Sequence, residues 1–489
     1  VRRDDWLRRD LPAVAGLTLI ALAVRLAGIG ESLYGDELHT FVAADVPSLG
    51  DVVGAMQLTE DNPPLFYFVE WVLARVGDPT VFLRLPSLVL GTATVPLVYA
   101  LGRRTVGRTA GLVAAALIAL SPFAIVFSYE ARAYTMLGFF AALSTLALLI
   151  ALDTGRLRWF ALFTLASAAA LYTHYTAVFV LGVQGAWALW HHRDRARELL
   201  LSYAAVAVAF LPWLPYMADQ GGQDKPGLPV IEALFGFSLE SVGRYTVTLL
   251  AGHHLYPLRE VAGRTALLVL GVALALALAG TVLRARRSGA ARPGPGLQLI
   301  VLLAFATPVG VLIYCAVGPD IYISRYLFAS LPAIAVLLGA LLTYPRPPLR
   351  ELAVLLALGA LAVGTARALD ASRDRPAFRE AAQIVDDSAA PGDPVVEYLF
   401  APVQGIFARH LAINFEEPHP LTQMYGNSDP GAWERIERAE RFFVVLPWGP
   451  GARAGAVPPR VARRFRVAEQ RDWPGLVRIG VLVYERRNR

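Results

Sequence analysis

The stretch RLPSLVLGTATVPLVYALGRRTVGRTAGLVAAALIALSPFAIVFSYEARAYTML, residues 84–137, decides the fold. It holds two apolar runs, each close to the roughly 20 residues that cross a bilayer as a helix. Arg103, Arg104 and Arg108 sit in the short loop between them, and a third apolar run opens directly after the polar turn YEARAY. Cationic short loops mark the cytoplasmic ends of membrane helices, so the polar turn lies on the opposite side.

The rest of the chain extends this pattern. Of 489 residues 56% are hydrophobic, and the mean hydropathy is +0.48. That is too apolar for an ordinary soluble protein. Apolar runs occupy 11–30, 80–101, 110–128, 134–152, 158–173, 175–190, 198–216, 262–283, 297–317, 324–343 and 350–369. They predict about eleven transmembrane helices. The segment LFYFVEWVLARV, 65–76, is too short to span and reads as an interfacial helix. The basic, apolar N-terminus reads as a retained first span, since no small-residue cleavage pattern stands out.

Arginines set the orientation. They precede the first run and follow the second, fourth, sixth, eighth and tenth, which puts these loops and the N-terminus in the cytoplasm. The first outer loop 31–79, the long outer loop 217–261 and everything after 370 then face outward. The net charge of +6 is almost all arginine, with Lys225 the only lysine, which points to GC-rich coding and a bacterial source. The arginines serve membrane orientation, so no nucleic-acid partner is implied. A single cysteine, Cys315, excludes an intramolecular disulfide and a thiolate metal cluster.

Residues 370–489 change character: they are charged and punctuated by Pro and Gly. PAFREAAQIVDDSA (376–389) has helical periodicity, while DPVVEYLF, RFFVVLPW and LVRIGVLVYE read as strands. The tail is expected to be a small extracytoplasmic α/β domain. The rest, 1–369, is the membrane domain.

Polar residues gather at the outer ends of the runs. YGDELHT (34–40) supplies Asp36, Glu37 and His39, and TEDNPPLFYF (59–68) supplies Asp61 and Asn62 before two prolines that stiffen the turn. FSYEARAYTML (127–137) brings Glu130, Arg132 and Tyr134; LYTHYTAVF brings His174 and Tyr175; GPDIYISRYLFASLP brings Asp320, Arg325 and Tyr326. Each has a plain alternative: a solvated stop signal, a helix cap, a local ion pair, or arginine snorkelling. The adjacent His253 and His254 carry only a weak metal signal. Together, carboxylates in one loop and Arg or His in three others suit transfer onto a hydroxyl. The carboxylate takes the nucleophile's proton, and the cations stabilise the phosphate that leaves.

In this order the motifs resemble those of the GT-C superfamily of membrane glycosyltransferases, in particular bacterial relatives of protein O-mannosyltransferases and of lipid A aminoarabinose transferase. YGDELHT, DNPPLFYF, residues 84–137 and YTHYTAVFVL carry the resemblance over most of 31–190; SRYLFASLP extends it. It implies a polyprenyl-phosphate sugar donor used outside the cytoplasmic membrane, and a lipid, glycan or protein acceptor. It also implies an acidic catalytic residue in the first outer loop, the place held by Asp36, with Asp61 at the family's second acidic position. Asn62 stands where the aminoarabinose enzyme has a lysine. Some relatives hold a divalent metal and others do not.

The resulting expectation is an inverting hexosyl or pentosyl transferase with Asp36 as general base. Glu37 and Asp61 assist it, and Arg132, His174 and Arg325 bind the donor phosphate. His39, Asn62, Glu130, Tyr134, Tyr175 and Tyr326 line the substrate site. The alternatives are an oligosaccharide transferase or polymerase of the same superfamily, and a lipid-linked glycan flippase. A flippase would carry its polar residues through the bilayer midplane, whereas here they cluster at one face.

Overall fold

A computed structural model of the protein describes residues 5–222, 236–288, 293–319, 321–399, 409–424, 433–434, 436–447 and 457–487. Asp320 and part of the long loop 217–261 lie outside the described residues. The chain divides into two units. One comprises Val1–Ile29, Ala43–Gly77 and Val81–Ala368; the other comprises Gly30–Val42, Asp78–Thr80 and Leu369–Arg489.

The first unit is helical. Among the described residues seven helices are long and apolar enough to cross a membrane, or eight if one bent pair is a single span. Two shorter apolar helices, Leu157–Thr173 and Ala177–His191, and the first helix, Asp5–Leu26, cover the remaining apolar runs.

The apolar run 110–128 is a bent pair of helices. Helix Arg108–Leu120 stops and Pro122–Ser128 restarts at an angle of 59°. Pro122 removes a donor and clashes with the preceding turn, and the Ser121 hydroxyl caps the second piece by accepting from the Ala124 N–H at 3.2 Å. A broken helix inside a membrane domain leaves carbonyls that must find donors. Arg25, wholly buried, supplies them: it donates to Ile118 O at 3.1 Å and Ala119 O at 3.4 Å, and to the Ser128 hydroxyl at 2.9 Å. The Thr365 hydroxyl donates to Leu120 O at 2.7 Å. The break shortens the rise of the chain, and the buried turn Tyr129–Ala133 follows before helix Tyr134–Thr154 begins.

Small residues set the close helix approaches around this break. A Cβ on Gly102 would meet the Gly111 backbone at 2.8 Å, and one on Gly339 would clash with Ala110 O. Backbones packed this closely are typical of membrane helix contacts.

The second unit holds a five-stranded sheet: β1 (Val395–Tyr398), β2 (Leu421–Met424), β3 (Arg441–Leu446), β4 (Phe465–Trp473) and β5 (Ile479–Arg486). The order is β2-β1-β3-β5-β4. β1 runs parallel to β2 and β3, and β5 runs antiparallel to β3 and β4. β3 is apolar on both faces, as an interior strand requires. Phe443 and Val445 join Val481 and Val483 beneath helix Phe378–Ser388, while Phe442 and Val444 pack with Tyr484 and Phe465 on the other face.

Candidate active site

In the membrane unit the turn after helix Leu49–Thr59 carries two acids with different surroundings. Glu60 is buried and forms a two-pronged ion pair with buried Arg132, one prong at 3.1 Å and the other from Nη1 to Oε1. The Glu60 carboxylate also accepts from Asn62 Nδ2 at 3.2 Å, and Asn62 reaches the Tyr67 hydroxyl at 3.4 Å. Burial, then the Glu60 charge, pushes that hydroxyl well above the ordinary phenol range. Glu60 O accepts from Gln220 Nε2 at 3.4 Å, and Gln220 Oε1 accepts from the Tyr175 hydroxyl at 2.6 Å. Trp213 Nε1 donates to the same hydroxyl at 2.9 Å. Asp61, between these anchored neighbours, is exposed.

The three residues expected to meet the donor phosphate come together around His174. Its ring lies 5.7 Å from that of Tyr134 and 5.6 Å from that of Tyr326. Burial, then the positive charges of Arg132 and Arg325, push the imidazole down to about 3. His174 Nδ1 accepts from the Thr176 N–H at 3.2 Å, which leaves the proton on Nε2. His174 is therefore a neutral hydrogen-bond donor, where the sequence suggested a cation. Beside this group, Glu130 pairs with His254 at 3.3 Å, and the His254 ring stacks on His253 at 5.1 Å.

Asp36, Glu37 and His39 belong to the other unit. Gly35, at φ +60°, turns the chain into helix Asp36–Ala44 through a conformation that only glycine enters without strain. Glu37 is wholly buried and pairs with Arg375 at 2.8 Å; it also accepts from the Tyr34 N–H at 3.2 Å. The Arg375 N–H donates to the Glu31 carboxylate at 3.1 Å, and the Arg379 N–H to the Ser32 hydroxyl at 2.8 Å. His410 stacks on Phe378 at 5.1 Å and lies 5.0 Å from Tyr34. Asp36 and His39 are half-buried. An Asp in the first helical turn is favoured by the helix dipole.

Sequence reasoning did not assign Glu60, Gln220, Trp213, Arg375 or His410. Among the described residues no three His, Cys, Asp or Glu side chains converge as metal ligands would.

A family model described as dolichyl-phosphate-mannose-protein mannosyltransferase matches residues 61–218. The Bacillus subtilis (strain 168) protein YkcB, provisionally named a mannosyltransferase, is 28% identical over 162 residues. That match covers 31% of this chain and 22% of YkcB, so the chain aligns with under a quarter of that relative's length. In fold the chain is similar to ArnT from Cupriavidus metallidurans bound to undecaprenyl phosphate (TM-score 0.54, 14% identity, 98% of each chain covered). It is also similar to the archaeal oligosaccharyltransferase AglB from Archaeoglobus fulgidus, in complex with an inhibitory peptide and a dolichol-phosphate (TM-score 0.51, 12% identity, 91% of this chain and 70% of that one). Motif, family match and fold agree: residues 61–218 are similar to the mannosyltransferase family, and the chain has the fold of ArnT and AglB.

Proposed function

We propose that the protein transfers a sugar from a polyprenyl-phosphate donor to a hydroxyl acceptor, with inversion at the anomeric carbon, on the outer face of the cytoplasmic membrane. The observation that carries this reading is the gathering of Arg132 and Arg325 about neutral His174, in a chain whose residues 61–218 match a lipid-phosphate-mannose family. ArnT bound to undecaprenyl phosphate and AglB bound to dolichol-phosphate share this fold. The same class of ligand suits two guanidiniums and one N–H donor.

In the reaction the acceptor hydroxyl gives its proton to the Asp36 carboxylate as its oxygen bonds the anomeric carbon. The bond from that carbon to the phosphate oxygen breaks, and the electron pair stays on the polyprenyl phosphate. The leaving phosphate gains negative charge, so cations held in place lower the barrier. Arg325 and the His174 Nε2–H bear on it most directly, because Glu60 offsets part of the Arg132 charge. Glu37 acts at one remove: its pair with Arg375 holds the helix start that carries Asp36. Asp61 and Asn62 position substrate from a turn stiffened by Pro63 and Pro64. His39, Glu130, Tyr134, Tyr175 and Tyr326 complete the substrate contacts. The acceptor is a lipid, glycan or protein hydroxyl.

The test is transfer of radiolabelled mannose from polyprenyl-phosphate mannose in membranes with and without the protein. Label should enter an acceptor only with the protein present and with no nucleotide added. A requirement for a nucleotide sugar would overturn the reading. The sidedness has its own test: a reporter fused after Arg489 should be active outside the cytoplasm, and activity only inside would reverse the topology.

A further inference from the structure

A groove of about 500 Å³ lies wholly within the sheet unit, between helix Phe378–Ser388 and β4. Glu380 and Asp387, two helical turns apart, line one wall; Glu469, Arg471, Asp472 and Trp473 line the other. The register explains the second wall. Glu469, Arg471 and Trp473 pair with Val483, Val481 and Ile479 of β5, which pack beneath the helix. Residues paired across strands share a face, so these β4 side chains rise on the helix side.

β4 is the outer strand of the sheet among the described residues. Residues 466–472 are exposed. Its outward N–H and C=O groups form a template for another strand. The strand carries two devices that discourage indiscriminate pairing: alternating charges, and a register shift between Val467 and Glu469. Beyond the shift, Glu469–Trp473 runs in regular register beside the groove.

The charge of the groove selects among occupants. Arg471 is paired with Glu469 at 3.0 Å, so Glu380 and Asp387 leave the groove net negative. One carboxylate oxygen of Glu380 is buried without a hydrogen-bond partner among the described residues. A neutral glycan would make little use of this charge or of an open strand edge. A polypeptide with basic side chains uses both, and Trp473 adds a face on which a cation can rest.

We propose that this groove binds an extended polypeptide segment bearing Lys or Arg, which adds to β4 as a sixth strand and places alternate side chains against Glu380 and Asp387. This is the helix-and-edge-strand mode of peptide capture. It goes beyond the transferase reading and does not depend on it.

The test uses the full chain in detergent micelles and a fluorescein-labelled peptide of alternating Lys and Thr. Controls are its Glu-Thr counterpart and a copy N-methylated on alternate backbone amides. The basic peptide should bind, and binding should weaken as salt rises. E380Q/D387N should weaken it about tenfold, the scale of two exposed charge pairs. N-methylation should abolish it, because strand addition needs the amides. Equal binding of the acidic peptide, full binding of the N-methylated one, or an unchanged Kd in the double variant would each overturn the proposal. So would displacement by a neutral mannose oligosaccharide, which would make the groove a glycan site. The readout is binding, so its failure leaves the transferase assay untouched, and the reverse also holds.

Discussion

Two pairs of neighbouring acids, Glu60–Asp61 in the membrane unit and Asp36–Glu37 in the sheet unit, are built alike. In each, the glutamate is buried against an arginine, Arg132 or Arg375. The aspartate beside it is the more exposed of the two. The pairs differ in their frame. Glu60 sits in a turn bound by proline and by side-chain hydrogen bonds, whereas Glu37 sits in the first turn of a helix after a left-handed glycine. The likeness teaches that adjacent acids divide the work. One is buried in an ion pair, and the other stands nearer the surface.

The comparison breaks most visibly at the anchors. Removing one partner of a buried ion pair leaves an uncompensated charge and costs about 3–5 kcal/mol. Glu60→Gln and Glu37→Gln should therefore each lower thermal stability sharply in detergent. Full stability with lost turnover would instead make either glutamate a direct catalytic group.

A third buried carboxylate sharpens the contrast. Glu397 on β1 accepts from Gln423 at 2.7 Å, a neutral partner. Burial pushes it up to about 7, against the opposing hydrogen bonds of Gln423 and the Leu411 N–H. Its folded value thus lies above the unfolded one. The stability it confers is complete below about pH 4.5 and is lost as pH rises to about 7. The loss amounts to about 3 kcal/mol. Unfolding of the sheet unit, followed in the full chain between pH 5 and 7.5, should show this decline. Glu397→Gln should flatten it, and an equally steep decline in that variant would assign the effect elsewhere.

At the proposed phosphate contacts the expected changes are smaller. Arg325→Lys removes the two-pronged grip but keeps the charge, and should slow single-turnover transfer by about tenfold. An unchanged rate would return Arg325 to snorkelling. His174 should contribute no titration between pH 5 and 8, since its ring is already neutral there. A pH–rate step that vanishes in His174→Gln would contradict that assignment.

Much of this architecture was legible in the sequence, and the exceptions have physical causes. Every apolar run of the chain falls on a helix, because membrane burial leaves a long unbroken signal. The kink at Ser121–Pro122 was visible as SPF, yet the run read through it, since the donors that stabilise the break come from Arg25 and Thr365 far away in sequence. β3 and β5 announced themselves as apolar runs. β4 did not, because residues 466–472 are exposed and polar except for Val467 and Ala468. β2, four residues long, is too short for alternation to register. In the membrane unit, Arg132, His174 and Arg325 were found in separate turns. The partners Glu60 and Arg375 were hidden because each ion pair closes over a long stretch of chain.

The central claim is that Asp36 is the base. It is tested most directly by single-turnover transfer in Asp36→Asn, with donor binding measured on the same sample. The account predicts that donor binding persists while the transfer step slows by about 10²–10⁴-fold, the usual cost of losing a general base. Asp61→Asn should lose less. Near-normal transfer by Asp36→Asn, with the large loss falling on Asp61→Asn instead, would contradict it and move the base to the membrane unit.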